Sequence, residues 1–425
     1  MSFSPAALSH LLVALGLVLA AAHGVGYLFR KLRQPQVIGE IIGGLLLGPT
    51  VLGALAPPLQ HRLFEGTPST WFVLGAMYQF GLLLLMFCSG LEMRSTFQTA
   101  ERKTVAIITV CGVAVPLLLV VALRNYVSLD AHLGAARNET ALLVVLAIAV
   151  AVTSIPVISR IFFDLGIIET AFARIVLSIA VIEDVLLYVL LAMALSLVAG
   201  GQESNFGLPA MLGLEGASPA ALGYHVSATV AFFVVAALAA PALGRPRSWR
   251  WVREINPVTL QLVLLLGITG VALFLGIAPM LGAFVAGIAA HRATQKAARS
   301  RATIKNFSFA FFVPIYFAIV GLRLDLVRYF DPLFFVVFFV FACAVKLACT
   351  YLGGRLAGES NWGAWNLAVA LNARGGPGIV LASVAFDAKI INEGLYASLV
   401  MLAILTSSLA GAWLEAVVRR GWSLR

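Results

Sequence analysis

Four ionisable side chains lie inside long apolar runs of this sequence. Glu183 and Asp184 are adjacent in IVLSIAVIEDVLLYVLLAMALSLV, Lys346 lies in FVFACAVKLACTYLGG, and Arg374 lies in AVALNARGGPGIVLASV. Each such group costs a few kcal/mol near the centre of a bilayer, and groups of this kind usually pair with one another and line a polar pathway. The pattern favours ion chemistry within a membrane over an ion pair that only locks helices together.

The two acids are expected to have different roles because they are neighbours on one helix. Consecutive helical side chains point about 100° apart, so both cannot face one site squarely. One carboxylate can face a cation site while the other turns to a partner, and Lys346 is the candidate partner. Arg374 has two open interpretations, as a cation at the negative ends of interrupted helices or as the partner of a core acid.

A helix break is predicted within VLAIAVAVTSIPVISR. Pro156 offers no amide hydrogen to the carbonyl of Val152, and Thr153 and Ser154 add hydroxyl oxygens at the same level. At membrane depth, non-helical backbone is tolerated only where it is buried in protein or lines a cavity. Freed carbonyls and hydroxyls are hard ligands that suit an alkali cation.

A second break is predicted near Pro377. This proline leaves the carbonyl of Ala373 without its helical donor, and Gly375 and Gly376 loosen the same segment. Arg374 lies inside it. Interrupted helices at matching places in two halves of a chain indicate the binding site of a transporter.

The composition places these residues in a polytopic helical membrane protein. Of the 425 residues, 61% are hydrophobic and only 11% are charged, and apolar runs of about 20 residues, long enough to span a bilayer, recur from end to end. Thirteen spans are predicted, at about 8–29, 37–54, 70–90, 103–124, 139–161, 171–198, 219–243, 257–276, 278–291, 305–322, 332–354, 364–386 and 394–417. Gly39, Gly43, Gly44 and Gly48 have the small-xxx-small spacing typical of close helix packing.

Loop charge orients the spans. With an outer N-terminus, most of the 29 Lys and Arg residues lie in inward loops, which predicts a cytoplasmic C-terminus. This spread of charge over several loops, together with the net charge of +10, favours contact with anionic lipids rather than nucleic acid. The four cysteines show no metal-ligand spacing.

The thirteen spans divide into six, one linker and six. Each proline break then falls in the fifth span of its half. The sequence separation of the two prolines, counted forward from Asp184, leads to Leu405, beside Thr406 and Ser407. Because six spans plus a linker is an odd number, the second half enters the membrane from the opposite side. The sequence therefore predicts an all-α fold of two inverted six-helix repeats with two broken, crossing helices.

Several stretches together resemble the bacterial monovalent cation/proton antiporter-2 family, which has a sodium/proton exchanger-like membrane domain. They are VTSIPVISRIFFDLGIIETAFARIVLSIAVIEDVLLYV, QPQVIGEIIGGLLLGPTVLG, GLEM, LGAFVAGIAAH and FAIVGLRLD. By this resemblance Asp184 is the aspartate that carries the proton and the monovalent metal cation, and Lys346 forms a salt bridge with Glu183. Thr153 and Ser154 match the polar residues of the unwound segment.

The resemblance also implies a homodimer and a division into parts. Residues 1–100 and 255–330 are expected to form scaffold and dimerisation helices, 101–200 and 331–425 the two halves of the ion-carrying core, and 201–254 the linker helix. Because the chain ends at Arg425, about eight residues past the last span, no cytosolic nucleotide-binding domain is expected in it.

The expected function is exchange of Na+ or K+ for protons across the bacterial inner membrane by alternating access, with both ions competing for Asp184. No cofactor and no enzymatic activity are expected, because the adjacent acids do not form a separated catalytic pair and no HExxH motif is present. The alternative is a sodium- or proton-coupled symporter of a small solute on a related inverted-repeat fold.

Overall fold

The computed structural model describes residues 4–32, 34–65, 68–92, 101–126, 129–199, 206–214, 219–243, 256–293 and 298–425. These residues are almost entirely helical. Their α-helices are, in chain order, α1 (Pro5–Lys31), α2 (Gln36–Leu47), α3 (Pro57–Gln60), α4 (Pro68–Glu92), α5 (Arg102–Thr109), α6 (Val115–Ala122), α7 (Glu139–Ala151), α8 (Ile155–Asp164), α9 (Ala171–Ala199), α10 (Gly207–Met211), α11 (Pro219–Leu243), α12 (Pro257–Phe274), α13 (Pro279–Ala293), α14 (Ala298–Phe307), α15 (Val313–Leu322), α16 (Leu326–Tyr329), α17 (Pro332–Leu356), α18 (Asn361–Leu371), α19 (Gly375–Asp387) and α20 (Glu393–Arg419).

Short π-helical turns continue several of these helices. They lie at Pro49–Gly53, His61–Glu65, Val110–Ala114 and Ser308–Phe312. The turn at Val110–Ala114 joins α5 to α6, and the turn at Ser308–Phe312 joins α14 to α15, so each pair forms one continuous span. Two 3₁₀ turns, Leu123–Tyr126 and Asp130–His132, lie between α6 and α7.

Ten helical stretches within the described residues are long and apolar enough to cross a membrane. Shorter apolar helices lie at Glu139–Ala151 and Pro279–His291, and another lies within α11. The chain is therefore a multi-pass helical membrane protein, as predicted. The count of thirteen spans and the inverted-repeat topology stay predictions.

Some sequence-based predictions fall outside the described residues. The end of the predicted linker segment, 244–254, is among them, as is Met93 of the GLEM stretch. The same holds for several of the basic loop residues used to orient the spans, namely Arg33, Arg94, Arg245, Arg247, Arg250, Arg253 and Lys296.

The chain divides into two compact units. Unit 1 comprises Met1–Leu28, Gly39–Arg94 and Glu203–Leu324, and unit 2 comprises Phe29–Ile38, Ser95–Gln202 and Asp325–Arg425. Their assignment as scaffold and ion-carrying core, with the residue boundaries predicted above, stays a prediction.

Unit 1 is held together by close contacts between helix backbones. A Cβ built at Gly44 of α2 would overlap the carbonyl oxygen of Ala318 in α15, and one built at Gly90 of α4 would overlap that of Phe284 in α13. In lipid the hydrophobic effect does not drive helices together. Small residues promote association instead, because they allow the helix backbones to pack closely. The packing predicted from the α2 glycines is confirmed at Gly44.

Unit 2 contains both interrupted helices. The helical pair α7 and α8 is separated by a non-helical stretch at 152–154, and the pair α18 and α19 by one at 372–374. An apolar core packs beneath them, with fully buried side chains from α8, α9, α18 and α20, among them Ile158, Phe162, Val176, Leu371 and Leu414. Ala373 of the second break is part of the same core.

Candidate functional site

The acid pair lies on α9, an apolar helix of 29 residues. Its carboxylates are almost fully buried, with Glu183 3% exposed and Asp184 1% exposed. Lys346 of α17 and Arg374 are buried to the same degree. The structure thus collects in unit 2 all four ionisable groups that the sequence placed within apolar runs.

Lys346 forms an ion pair with Glu183. Its Nζ lies 2.8 Å from Glu183 Oε1, donates to the carbonyl oxygen of Gly112 at 3.1 Å, and donates to the carbonyl oxygen of Ala151. An ammonium has three donors, and all three therefore have an acceptor. The predicted contact between Glu183 and Lys346 is present, and its part in coupling stays a prediction.

Asp184 has a different environment from its neighbour. It takes no part in the ion pair with Lys346, and its Oδ1 is buried without a hydrogen-bond partner among the described residues. Tyr188, one helical turn further along α9, is also buried. A buried carboxylate oxygen without a donor is costly, so it has a strong tendency to take a proton or a cation.

The first break leaves the helix at Val152, whose backbone is extended at φ −72° and ψ 146°. The hydroxyl of Thr153 donates to the carbonyl oxygen of Leu371, and the amide of Ser154 donates to the carbonyl oxygen of Ala373 at 2.7 Å. The two broken segments therefore cross with direct hydrogen bonds between them. Pro156 is the second residue of α8, a position where a missing amide hydrogen costs little.

Arg374 lies at the second break, and its side chain donates to several carbonyl and amide oxygens. Its guanidinium reaches the carbonyl oxygens of Ala149 at 2.7 Å, Val150 at 3.1 Å and Ala342 at 2.9 Å. It also donates to Oδ1 of Asn372 at 2.7 Å and to the carbonyl oxygen of that residue at 3.2 Å. The sequence left two interpretations of Arg374 open. These contacts agree with the one in which the arginine lies at the negative end of a broken helix.

Two cationic side chains bind the carbonyl oxygens at the end of α7. The carbonyls of Ala149 and Val150 accept from Arg374, and that of Ala151 accepts from Lys346. These are the last three residues of the helix, where carbonyls have no helical donor and the macrodipole is negative. The break thus creates acceptors for both buried cations.

The start of α19 is capped by side chains. The amide of Gly376 donates to Ser154 Oγ at 3.2 Å, that of Gly375 to Ser407 Oγ at 3.0 Å, and that of Arg374 to Thr406 Oγ1 at 3.3 Å. Pro377 follows as the third residue of the helix. The polar patch that the repeat offset singled out therefore lies at the second break.

Sequence reasoning missed several groups at this site. The carbonyls of Gly112, Ala151 and Ala342 carry no sequence signal, because every residue has a carbonyl and only the fold frees one of them. Asn372 lies in the sequence of the predicted second break, but no pattern there predicts its contact with Arg374. Its position two residues before Arg374 was the available signal.

Comparisons with known proteins agree with the fold. A family model described as "Sodium/hydrogen exchanger, transmembrane" matches residues 17–420. The structure of the sodium/proton antiporter MjNhaP1 from Methanocaldococcus jannaschii superposes with a TM-score of 0.62 at 16% identity, covering 97% of this chain and 99% of that one. At that identity the likeness shows the fold.

Relatives in sequence include proteins from plants and bacteria. Cation/H(+) antiporter 20 of Arabidopsis thaliana is 28% identical over 413 residues, which are 93% of this chain and 47% of the relative. The Na(+)/H(+) antiporter NhaS4 of Synechocystis sp. is 26% identical over 412 residues, 94% of each chain. The chain spans about half the length of the plant relatives.

The family predicted from the sequence motifs is confirmed by the match over residues 17–420. That match covers nearly all of the 425 residues, including both helix breaks, the acid pair, Lys346 and Arg374. This chain belongs to the transmembrane sodium/hydrogen exchanger family.

Proposed function

We propose that this chain exchanges a monovalent cation, Na+ or K+, for protons, and that Asp184 is the group for which the two compete. The observation that carries the proposal is the asymmetry of the acid pair. Glu183 is neutralised by Lys346 at 2.8 Å, whereas Asp184 is buried with Oδ1 lacking a partner among the described residues. Membership of the sodium/hydrogen exchanger family supports it.

The exchange follows from exclusive occupancy. A buried carboxylate that is charged and unpartnered is expensive, and either a proton or a cation removes that cost. If only a loaded carboxylate crosses between the two sides, and it holds one ion at a time, the two ions move in opposite directions. Carbonyl and hydroxyl oxygens of Val152, Thr153 and Ser154 are proposed to complete the cation shell.

The finer architecture is part of the proposal. Thirteen spans in two inverted six-helix repeats with a linker helix would place the N-terminus outside and the C-terminus in the cytoplasm of the bacterial inner membrane. Unit 2, which holds the acid pair, Lys346, Arg374 and both breaks, is proposed as the ion-carrying core in an alternating-access cycle. Unit 1 is proposed as the scaffold through which two copies associate in the lipid bilayer.

The Glu183–Lys346 pair is proposed to couple charge to transport. If cation binding opens this pair and Lys346 releases its proton, the exchange moves net charge across the membrane. An imposed membrane potential should then change the initial rate of exchange in proteoliposomes. An unchanged rate would indicate that the pair only supports the fold.

Proton flux tests the central proposal. Proteoliposomes with a preset pH gradient and a fluorescent pH dye receive Na+, K+ or a neutral osmolyte. We expect one cation to dissipate the gradient with the wild type and with Asp387→Asn, which makes the same chemical change at an exposed residue at the end of α19. Asp184→Asn should abolish the response. If no cation moves protons through folded wild-type protein, a solute-coupled carrier becomes the leading interpretation.

A further inference from the structure

The head group of Lys346 lies in a shell of oxygen atoms. Glu183 Oε1 lies at 2.8 Å and the Gly112 carbonyl oxygen at 3.1 Å, and the carbonyl oxygen of Ala151 is the third ligand. One carboxylate and two carbonyls form a ligand set typical of monovalent cations in proteins, since hard oxygens replace the water that the ion gives up.

One further oxygen, Thr350 Oγ1, faces the same place without a partner among the described residues. Thr350 is fully buried, and its Oγ1 has no hydrogen-bond partner among the described residues. The same is true of Glu183 Oε2. A Cβ built at Gly112 would lie 3.2 Å from Thr350 Oγ1, 3.7 Å from Glu183 Oε1 and 3.8 Å from Lys346 Nζ, so these three polar atoms surround one point.

Backbone irregularities supply both carbonyl ligands. Gly112 lies within the π-helical turn Val110–Ala114, where the regular helical hydrogen-bond ladder is interrupted. Ala151 is the last residue of α7, immediately before the break. The absent side chain at Gly112 leaves open the space beside the ammonium. Both backbone features bring a carbonyl oxygen to the position of the ammonium.

We propose that these oxygens form a second monovalent-cation site, which fits an ion of the size of ammonium or potassium. In the wild type the ammonium group of Lys346, held there by its own side chain, fills this site. We call this set, Glu183, Gly112, Ala151 and Thr350, the lysine cage. It is separate from the site proposed at Asp184 and does not depend on transport there. In the wild type this lysine keeps solution cations out of the cage.

Lys346→Met empties the cage with little change in the size of the side-chain stem, and it leaves the buried Glu183 carboxylate without its counter-ion. Methionine has as many heavy side-chain atoms as the lysine stem up to Cε and lacks only an atom in place of Nζ. Purified protein in detergent is heated in equal concentrations of ammonium, potassium, sodium or choline chloride. At about 100 mM ammonium or potassium we expect the unfolding midpoint of Lys346→Met to rise by about 2 °C over choline, with a smaller rise in sodium.

Four control proteins identify the site. The wild type and Leu352→Met, an exposed position on the same helix, should show no difference between ammonium and choline beyond any binding at Asp184. Asp184→Asn/Lys346→Met should keep the full ammonium response, because it removes only the other carboxylate. Glu183→Gln/Lys346→Met should lose it.

Several outcomes would overturn the proposal. One is an ammonium response that follows Asp184 rather than Glu183, since the ion would then bind at the other site. Another is a folded Lys346→Met protein with equal midpoints in ammonium and choline. If this variant unfolds during purification in choline, the yield of folded protein in ammonium against choline becomes the readout, and equal yields contradict the proposal.

Discussion

Lys346 and Glu183 are both removed from water, with side chains 0% and 2% exposed. Burying a charge costs several kcal/mol, and a pair recovers this cost only when its geometry is good and its other donors are satisfied. Lys346 meets this condition through the carbonyls of Gly112 and Ala151. Each charge is therefore tolerated mainly because the other is present.

A double-mutant cycle on this pair should reveal strong coupling. Glu183→Gln and Lys346→Met each leave one buried charge unpaired, and we expect each to lower the stability by about 3–5 kcal/mol. The double variant should lose much less than the sum, because no charge is left behind. Thermal unfolding in choline chloride measures the three differences.

The control cycle uses Arg124 and Glu139, which form an ion pair of 3.3 Å with both side chains 50% exposed. Water screens such a pair, so its coupling should stay below about 1 kcal/mol. Equal coupling in the two cycles would contradict the idea that burial makes the Lys346 pair special.

At the scale of the element, each broken helix depends on the other. The amides and hydroxyls of 153–154 bond to carbonyls at 371 and 373, and Ser154 accepts from Gly376. Carbonyl oxygens at the end of α7 accept hydrogen bonds from two cationic side chains. Amides at the start of α19 donate to the hydroxyls of Ser154 and Ser407. These hydrogen bonds give partners to backbone groups of both broken segments, as burial in a membrane requires.

Adjacent glycines at the second break provide a matched test of this crossing. Gly375 has φ +32°, and a Cβ there would lie 2.7 Å from Ser154 Oγ, whereas a Cβ at Gly376 would meet nothing within 4 Å. We expect Gly375→Ala to lower stability by about 1–3 kcal/mol and to slow cation-driven proton flux. Gly376→Ala should stay close to the wild type in both.

Thermal unfolding and proteoliposome flux measure the two effects on the same preparations. If Gly375→Ala behaves like Gly376→Ala, the close contact at Gly375 is not needed for the crossing. A loss of flux without loss of stability would instead assign the contact to the working of the site.

For the whole molecule, the odd number of predicted spans makes a topological prediction. A fluorescent protein fused after Arg425 should fluoresce, because it folds in the cytoplasm, and an alkaline phosphatase fused there should be inactive. A tag before Met1 should be accessible from outside in intact cells. Termini on the same side would contradict the thirteen-span, inverted-repeat arrangement.

The sequence alone determined the class of this protein and most of its candidate site. Hydropathy marks membrane helices because a bilayer of fixed thickness requires a long apolar run, and buried charges stand out because they are costly there. Prolines at 156 and 377 indicated both breaks, which the structure has just before them at 152–154 and 372–374. The motifs also indicated the family, which the match over residues 17–420 confirms.

Only the tertiary structure decided how the charges are distributed among their partners. Lys346 pairs with Glu183, and Asp184 lies outside that pair. Arg374 donates to the carbonyls of α7 rather than to an acid. The carbonyls of Gly112 and Ala151 became ligands because a π-helical turn and a helix end bring them to one ammonium. A carbonyl is the same in every residue, so its availability depends on three-dimensional geometry and cannot be read from residue type.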